Sequence, residues 1–274
     1  MVGHSPRRRY NLGVVNRLKQ AWGTQNMELA ERTAVVTGGA IRLGRAMALR
    51  LAKAGMNIVV HYGHSAEEAE QTCGEIRELG VQAVSVQADL MQPESAAETI
   101  FSTVESELGG ADVLINSAAI FEPARLADTT GDLFDRHMQI NLKSPFFLAK
   151  RFADGLQNRT EAAIVNIADW RATHPDPNYL AYTLTKSALV SLTEGLAKDL
   201  APRVRVNAIA PGAILPPPGG SEAEFEKRGA NNLLGHTGTA DDIAEAAVYL
   251  LESDFITGHL LMVNGGEHLK SPRT

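Results

Sequence analysis

Cysteine is nearly absent: Cys73 is the single one among 274 residues. An intrachain disulfide and a cysteine metal cluster are therefore excluded, and a lone thiol suits a reducing, cytoplasmic setting. No apolar run reaches the ~18 residues that would span a bilayer, so no membrane association is expected. Acidic residues are missing from the first 26 positions, which hold Arg7, Arg8, Arg9, Arg17 and Lys19. This start also lacks the apolar stretch of a secretory signal and reads as a basic, flexible tail. The chain as a whole carries a formal charge of -6, which gives it no electrostatic reason to bind nucleic acid.

What is present is a rhythm. Short β-branched runs, such as Thr33–Thr37, Asn57–His61, Asp112–Ile115, Ala163–Ile167 and Leu260–Val263, alternate with longer helical stretches such as Leu43–Ala54 and Ala66–Leu79. The runs are apolar throughout instead of alternating, as in strands covered on both faces. Strand-helix-strand repetition implies right-handed crossovers and an α/β fold. We read a single-domain, Rossmann-type, doubly wound parallel sheet with flanking helices over residues 29–269. A tail of residues 1–28 precedes it, and residues 270–274 follow. Residues 211–235, with Pro216-Pro217-Pro218-Gly219-Gly220, break the rhythm after the sixth strand. They are expected to form a substrate-side lid with Leu215 against the substrate.

Two clusters carry chemistry. Thr37-Gly38-Gly39-Ala40-Ile41-Arg42-Leu43-Gly44 joins the first strand to the first helix, where backbone N–H groups can meet a pyrophosphate at the helix N-terminus. The second strand ends in His61-Tyr62-Gly63-His64-Ser65 without a carboxylate. NAD-selective folds tend to place one there, so NADP(H) is favoured, its 2′-phosphate against Arg42, His64 and Ser65. Asp89-Leu90 after the third strand and Asn116 to Ala118 after the fourth fit the rest of a dinucleotide. Further along, Tyr182 and Lys186 stand four apart at the start of a helical stretch, so phenol and ammonium share a face. The cation is expected to lower the tyrosine pKa. Tyr179, without a lysine at that offset, is set aside.

The series resembles the short-chain dehydrogenase/reductase family, with every motif in order from about Thr33 to Gly266. The resemblance implies that Tyr182 donates a proton, Lys186 also holds the nicotinamide ribose, Asn141 supports a water relay, and Pro211-Gly212 borders the nicotinamide. Asp169 stands where the family has serine, thirteen residues before the tyrosine. Together with Arg42 in the turn and Phe121 after Asn116, it resembles the pteridine reductases. That implies a pterin-like substrate stacked on Phe121, with Asp169 and Tyr182 serving its ring nitrogens. Two other readings remain open: reduction of another carbonyl substrate (ketone, quinone or 3-oxoacyl thioester), and a catalytically silent NADP-binding regulatory protein. The family also implies a homotetramer or homodimer, formed through helices spanning about Asp132–Leu156 and Leu180–Leu200.

Overall fold

The β-branched runs form seven parallel strands in a computed structural model, which describes residues 27–216, 221–229 and 232–270. The strands are β1 (Thr33–Val36), β2 (Asn57–Tyr62), β3 (Ala83–Gln87), β4 (Val113–Asn116), β5 (Ala162–Ile167), β6 (Val204–Pro211) and β7 (Leu260–Val263). Their order across the sheet is β3-β2-β1-β4-β5-β6-β7. Register follows the apolar pattern, with Val35 opposite Val59 and Leu114, and Leu114 opposite Ile164. Alternate residues feed opposite faces. Val36, Ile58, Ile115 and Val165 belong to one core, and Val35, Val59, Leu114 and Ile164 to the other. The whole is one domain.

Helices cover both faces. On the first lie α1 (Arg42–Lys53), α2 (Ala66–Glu78) and α8 (Ala240–Glu252), whose Met47, Leu51, Ile76, Ile243 and Leu250 fill that core. On the second, α3 (Pro93–Leu108) and α5 (Ser144–Asp154) supply Ile100, Val104, Leu148 and Phe152. Each such side chain contributes roughly 1.5–3 kcal/mol when fully buried. Met27, counted with the tail from sequence, is only 4% exposed and sits in the first core with Leu29. The remaining tail residues, 1–26 and 271–274, lie outside the described residues, as do 217–220 and 230–231 of the expected lid. The described residues of that stretch include α7 (Glu222–Gly229), with Phe225 buried.

The stretch expected as one helix over Asp132–Leu156 is interrupted. It is α4 (Gly131–Met138), a π-helical turn over Gln139–Lys143, then α5. Such turns are frequent at functional sites. Here the turn carries Asn141, whose side-chain amide bonds the Ile120 backbone of another segment. α6 (Leu180–Leu200) runs unbroken beside it. The strand order reverses between β1 and β4, and the crevice at their carboxyl ends is where ligands bind in open sheets of this kind.

Candidate active site

The turn from β1 to α1 is built for close backbone approach. A Cβ on Gly44 would lie 2.1 Å from the Gly38 carbonyl oxygen, and Gly38 has φ +63° with Ala118 Cα only 3.1 Å from where its Cβ would be. Thr37 Oγ1 accepts from the N–H groups of Ser117 and Ala118 at 2.9 and 3.1 Å, locking this turn to the segment after β4. Arg42 occupies φ +52°, a left-handed conformation that costs a non-glycine residue roughly 1–2 kcal/mol. Its guanidinium donates to the Pro216 carbonyl at 2.7 Å, on the far side of the cleft. Arg42, grouped from sequence with His64 and Ser65, here faces the segment after β6. Leu43, behind it, packs partly into the core.

His61, counted with the cofactor-binding residues from sequence, is 2% exposed with both ring nitrogens engaged. Nδ1 accepts the Gly38 N–H at 3.2 Å, so Nε2 carries the proton and meets the Ala88 carbonyl at 3.0 Å. Burial lowers its pKa despite that carbonyl. His61 is thus a neutral strut beneath the glycine turn and leaves no nitrogen for a phosphate. His64 is exposed and Ser65 half-buried at the start of α2, where Ser65 makes no side-chain capping bond. Asp89 is exposed, with Oδ1 held by the Met91 N–H at 2.9 Å, and Leu90 is buried. Asn116 donates to Asn166 Oδ1 at 2.8 Å, while its own Oδ1 is buried without a partner among the described residues. A buried acceptor in that state costs free energy until something donates to it.

The reactive groups converge next to β5. Tyr182 sits in the first turn of α6, 6% exposed, and its hydroxyl donates to Asp169 Oδ2 at 3.0 Å. Asp169 caps the short turn Trp170–Ala172, accepting the Arg171 N–H at 2.7 Å. Arg171 Nη1 lies 3.3 Å from both Asp169 oxygens, and its Nε donates to Asp176 at 3.3 Å. Burial, followed by the charge and hydrogen bond of Asp169, holds the Tyr182 pKa well above its ordinary value; Arg171 opposes this. The expected lowering by Lys186 is therefore overturned. The Lys186 ammonium is turned to the Ile167 carbonyl at 2.7 Å, and its Nζ is 5.6 Å from the Tyr182 ring centroid. In this state Tyr182 is a neutral acid, the form a proton donor needs.

Burial brings Lys186 down to about 8, with Asp169 opposing. The unfolded chain therefore binds more protons at this residue between pH 8 and 10.5, and native stability rises with pH across that window. We expect the stability of the native protein relative to Lys186→Met, from urea denaturation, to increase by roughly 3 kcal/mol between those limits. It should be flat below pH 8. A flat difference throughout would show Lys186 to be solvated.

Asn141 is 1% exposed, and its amide pairs twice with the Ile120 backbone, at 2.9 and 3.0 Å. It also donates to Thr185 Oγ1 at 3.3 Å. With its groups so engaged it anchors the segment that ends in Phe121. Phe121 stacks on Tyr179 at 4.2 Å and 5°, because Ala124 bridges to Tyr179 and brings the two segments together. One face of Phe121 is thus already covered, and its ring meets Tyr182 edge-on at 4.7 Å. Tyr179, set aside from sequence, is part of the site, and so is Arg171, which the sequence reading missed. The signal for Arg171 was its place two residues after an unusual carboxylate. Arg42, Phe121, Asp169, Arg171, Tyr182 and Leu215 line one cavity of about 440 Å³, bounded also by Gly212. A second cavity, about 430 Å³ and lined by Asn232, Leu233, His236 and Asn264, contains none of the reactive groups.

Comparison with known proteins decides the family. The family described as enoyl-(acyl carrier protein) reductase matches residues 39–268. The 3beta-hydroxysteroid dehydrogenase 1 of Eggerthella lenta is 35% identical over 248 residues, 87% of this chain and 94% of that protein. The chain is a short-chain dehydrogenase/reductase. Among solved structures, the FolM alternative dihydrofolate reductase 1 of Brucella canis, complexed with NADP, superposes with a TM-score of 0.85 at 33% identity. That match covers 90% of this chain and 97% of the other. A short chain dehydrogenase from Burkholderia cenocepacia, also with NADP, gives 0.81 at 32%, covering 88% and 99%. Like these short-chain dehydrogenases, the chain is an NADP-dependent oxidoreductase. The cofactor suits the residues present: a tight glycine turn at the start of α1 with no room for side chains at Gly38 and Gly44, a buried Asn116 acceptor without a partner among the described residues, and no carboxylate at the end of β2. Among the described residues, no helix is long and apolar enough to cross a membrane.

Proposed function

We propose that this reductase acts on the C=N bond of a pterin-like substrate, with Tyr182 as proton donor. The observation that carries the proposal is the Tyr182–Asp169 hydrogen bond in a cleft lined by Phe121 and Trp170, with Tyr179 stacked on Phe121. A carboxylate there suits a ring bearing N–H groups, and stacked rings suit a flat heteroaromatic. The likeness to FolM proteins supports the same substrate class. His64 and Ser65 take the 2′-phosphate, Gly38, Leu43 and Gly44 the pyrophosphate, and Asp89 with Leu90 the adenine. Asn116, Ala118, Pro211 and Gly212 border the remainder. When bound there, NADPH would supply the hydride for the carbon of the C=N bond. Tyr182 would then give its hydroxyl proton to the nitrogen, the Arg171 charge favouring the phenolate left behind while Lys186 holds the nicotinamide ribose, and solvent would return the proton.

A second reading is reduction of a ketone or acyl thioester, favoured by relatives named as steroid dehydrogenase and 3-oxoacyl-[acyl-carrier-protein] reductase FabG. A silent NADP-binding protein is disfavoured by the intact Tyr182, Lys186 and Asn141. Initial rates of NADPH oxidation separate the first two. Dihydrobiopterin or dihydrofolate should exceed the best steroid ketone or acetoacetyl thioester in kcat/KM by about 100-fold or more; the reverse order would reject the pterin.

The same reading includes a homodimer or homotetramer. α4, α5 and α6 present an apolar hollow lined by Met138, Leu142, Phe146 and Leu192, with Phe146 exposed. A second copy covering that hollow would bury it.

A further inference from the structure

Arg171 is an unusual cation. Its guanidinium stands 5.0 Å from the Trp170 ring centroid and 5.6 Å from those of Phe121 and Tyr179. Its side chain is 15% exposed and forms ion pairs with Asp169 and Asp176. Nε is committed to Asp176 and Nη1 to Asp169. Nη2 has no hydrogen-bond partner among the described residues, although Arg171 lines the 440 Å³ cavity. A rigid planar fork with two of its nitrogens tied and the third without a hydrogen-bond partner among the described residues is a directed donor, not a diffuse charge.

Asp169 ties this donor to the proton donor. Oδ2 accepts the Tyr182 hydroxyl at 3.0 Å and also lies 3.3 Å from Arg171 Nη1. Two donors held by one carboxylate are matched to a substrate edge with two adjacent acceptors. A pterin has such an edge: the carbonyl oxygen of the pyrimidinone ring and the neighbouring pyrazine nitrogen point the same way. A simple ketone or thioester offers only one acceptor.

We propose that Arg171 is a specificity-determining residue, whose Nη2 donates to the ring carbonyl oxygen of the substrate while Tyr182 addresses the adjacent ring nitrogen. The inference rests on the pterin reading above and narrows it to oxo-pteridines. An amino group in place of that oxygen would turn N–H toward N–H and be disfavoured. The cationic and acidic groups bordering this position are Arg42 and Glu267 on the cavity wall, Asp169 and Asp176 on the Arg171 side, and Lys186 from α6. None of the carboxylates can supply a donor while ionised.

The test titrates NADP⁺-loaded protein with biopterin and with the diaminopteridine in which an amino group replaces the ring oxygen. The native protein should bind biopterin more tightly. Arg171→Gln should weaken biopterin by about tenfold or more while leaving the diaminopteridine within about threefold, so the preference collapses. Arg171→Lys keeps a charge for Asp169 and Asp176 but lacks Nη2, and it should lose the preference too. This second variant guards against misfolding of the first, and NADP⁺ affinity reports integrity in both. Parallel loss of both ligands, or an unchanged preference, would overturn the role of Arg171. Failure of the native protein to bind either pteridine would instead remove the pterin reading on which the inference stands.

Discussion

Tyr182→Phe should reduce kcat with the best pterin by about a thousandfold, within the range that a positioned general acid contributes. Affinity for NADPH should stay within about threefold, because the ring that packs at 4.7 Å against Phe121 is retained. The hydroxyl alone is removed. Native Tyr182 is buried, and burial together with Asp169 keeps it protonated, so it arrives at the substrate as a neutral acid. With phenylalanine there, the nitrogen accepting the hydride pair's proton must draw on water. Asp169 keeps its two contacts to Arg171, so the structural cost should be about 1 kcal/mol, read as a small fall in urea midpoint. A variant keeping more than a tenth of native kcat would show that another group donates the proton.

The second large effect concerns Asp169→Ser, which restores the residue that the family usually has. Serine is too short to bond the Tyr182 hydroxyl and the Arg171 guanidinium as Asp169 does. Pterin turnover should fall by about 100-fold or more, whereas a ketone or acyl-thioester reductase should keep or gain activity. Losing the carboxylate also leaves Arg171, 15% exposed, with Asp176 as its remaining ion-pair partner. Stability should drop by roughly 1–3 kcal/mol for that reason. Denaturation midpoints and a substrate panel measure the two consequences separately. Unchanged pterin turnover in a folded variant would remove Asp169 from the chemistry.

The sheet was readable from sequence because its strands are buried on both faces and its helices are long, so periodicity and length agree. The π turn was not, since Gln139–Lys143 has ordinary helical composition and the cause lies in Asn141 reaching the Ile120 backbone. Tyr182, Lys186, Asp169 and Phe121 were legible as types at spacings, and the cavity brings Tyr182, Asp169 and Phe121 together. Their charges were not legible. The expectation for Tyr182 counted Lys186 as its nearest charge, but the ammonium is turned to the Ile167 carbonyl and Asp169 takes the hydroxyl. His61 is a case of the same kind: its place at a strand end is legible in the sequence, but the occupation of both its nitrogens is not. Tyr179 and Arg171 were hidden because their roles arise from the Ala124–Tyr179 bridge and the Asp169 cap, which join separate segments and have no local pattern.

The central claim is that a neutral Tyr182 delivers its proton to a pterin ring as NADPH is oxidised. The most direct test is single-turnover stopped flow: protein premixed with NADPH is mixed with dihydrobiopterin, and the loss of reduced-nicotinamide absorbance is followed. The account predicts a burst matching the enzyme concentration, with tetrahydrobiopterin as product and a slower step in heavy water. A bound dihydropterin with no NADPH oxidation, in protein that oxidises NADPH with a ketone, would contradict it.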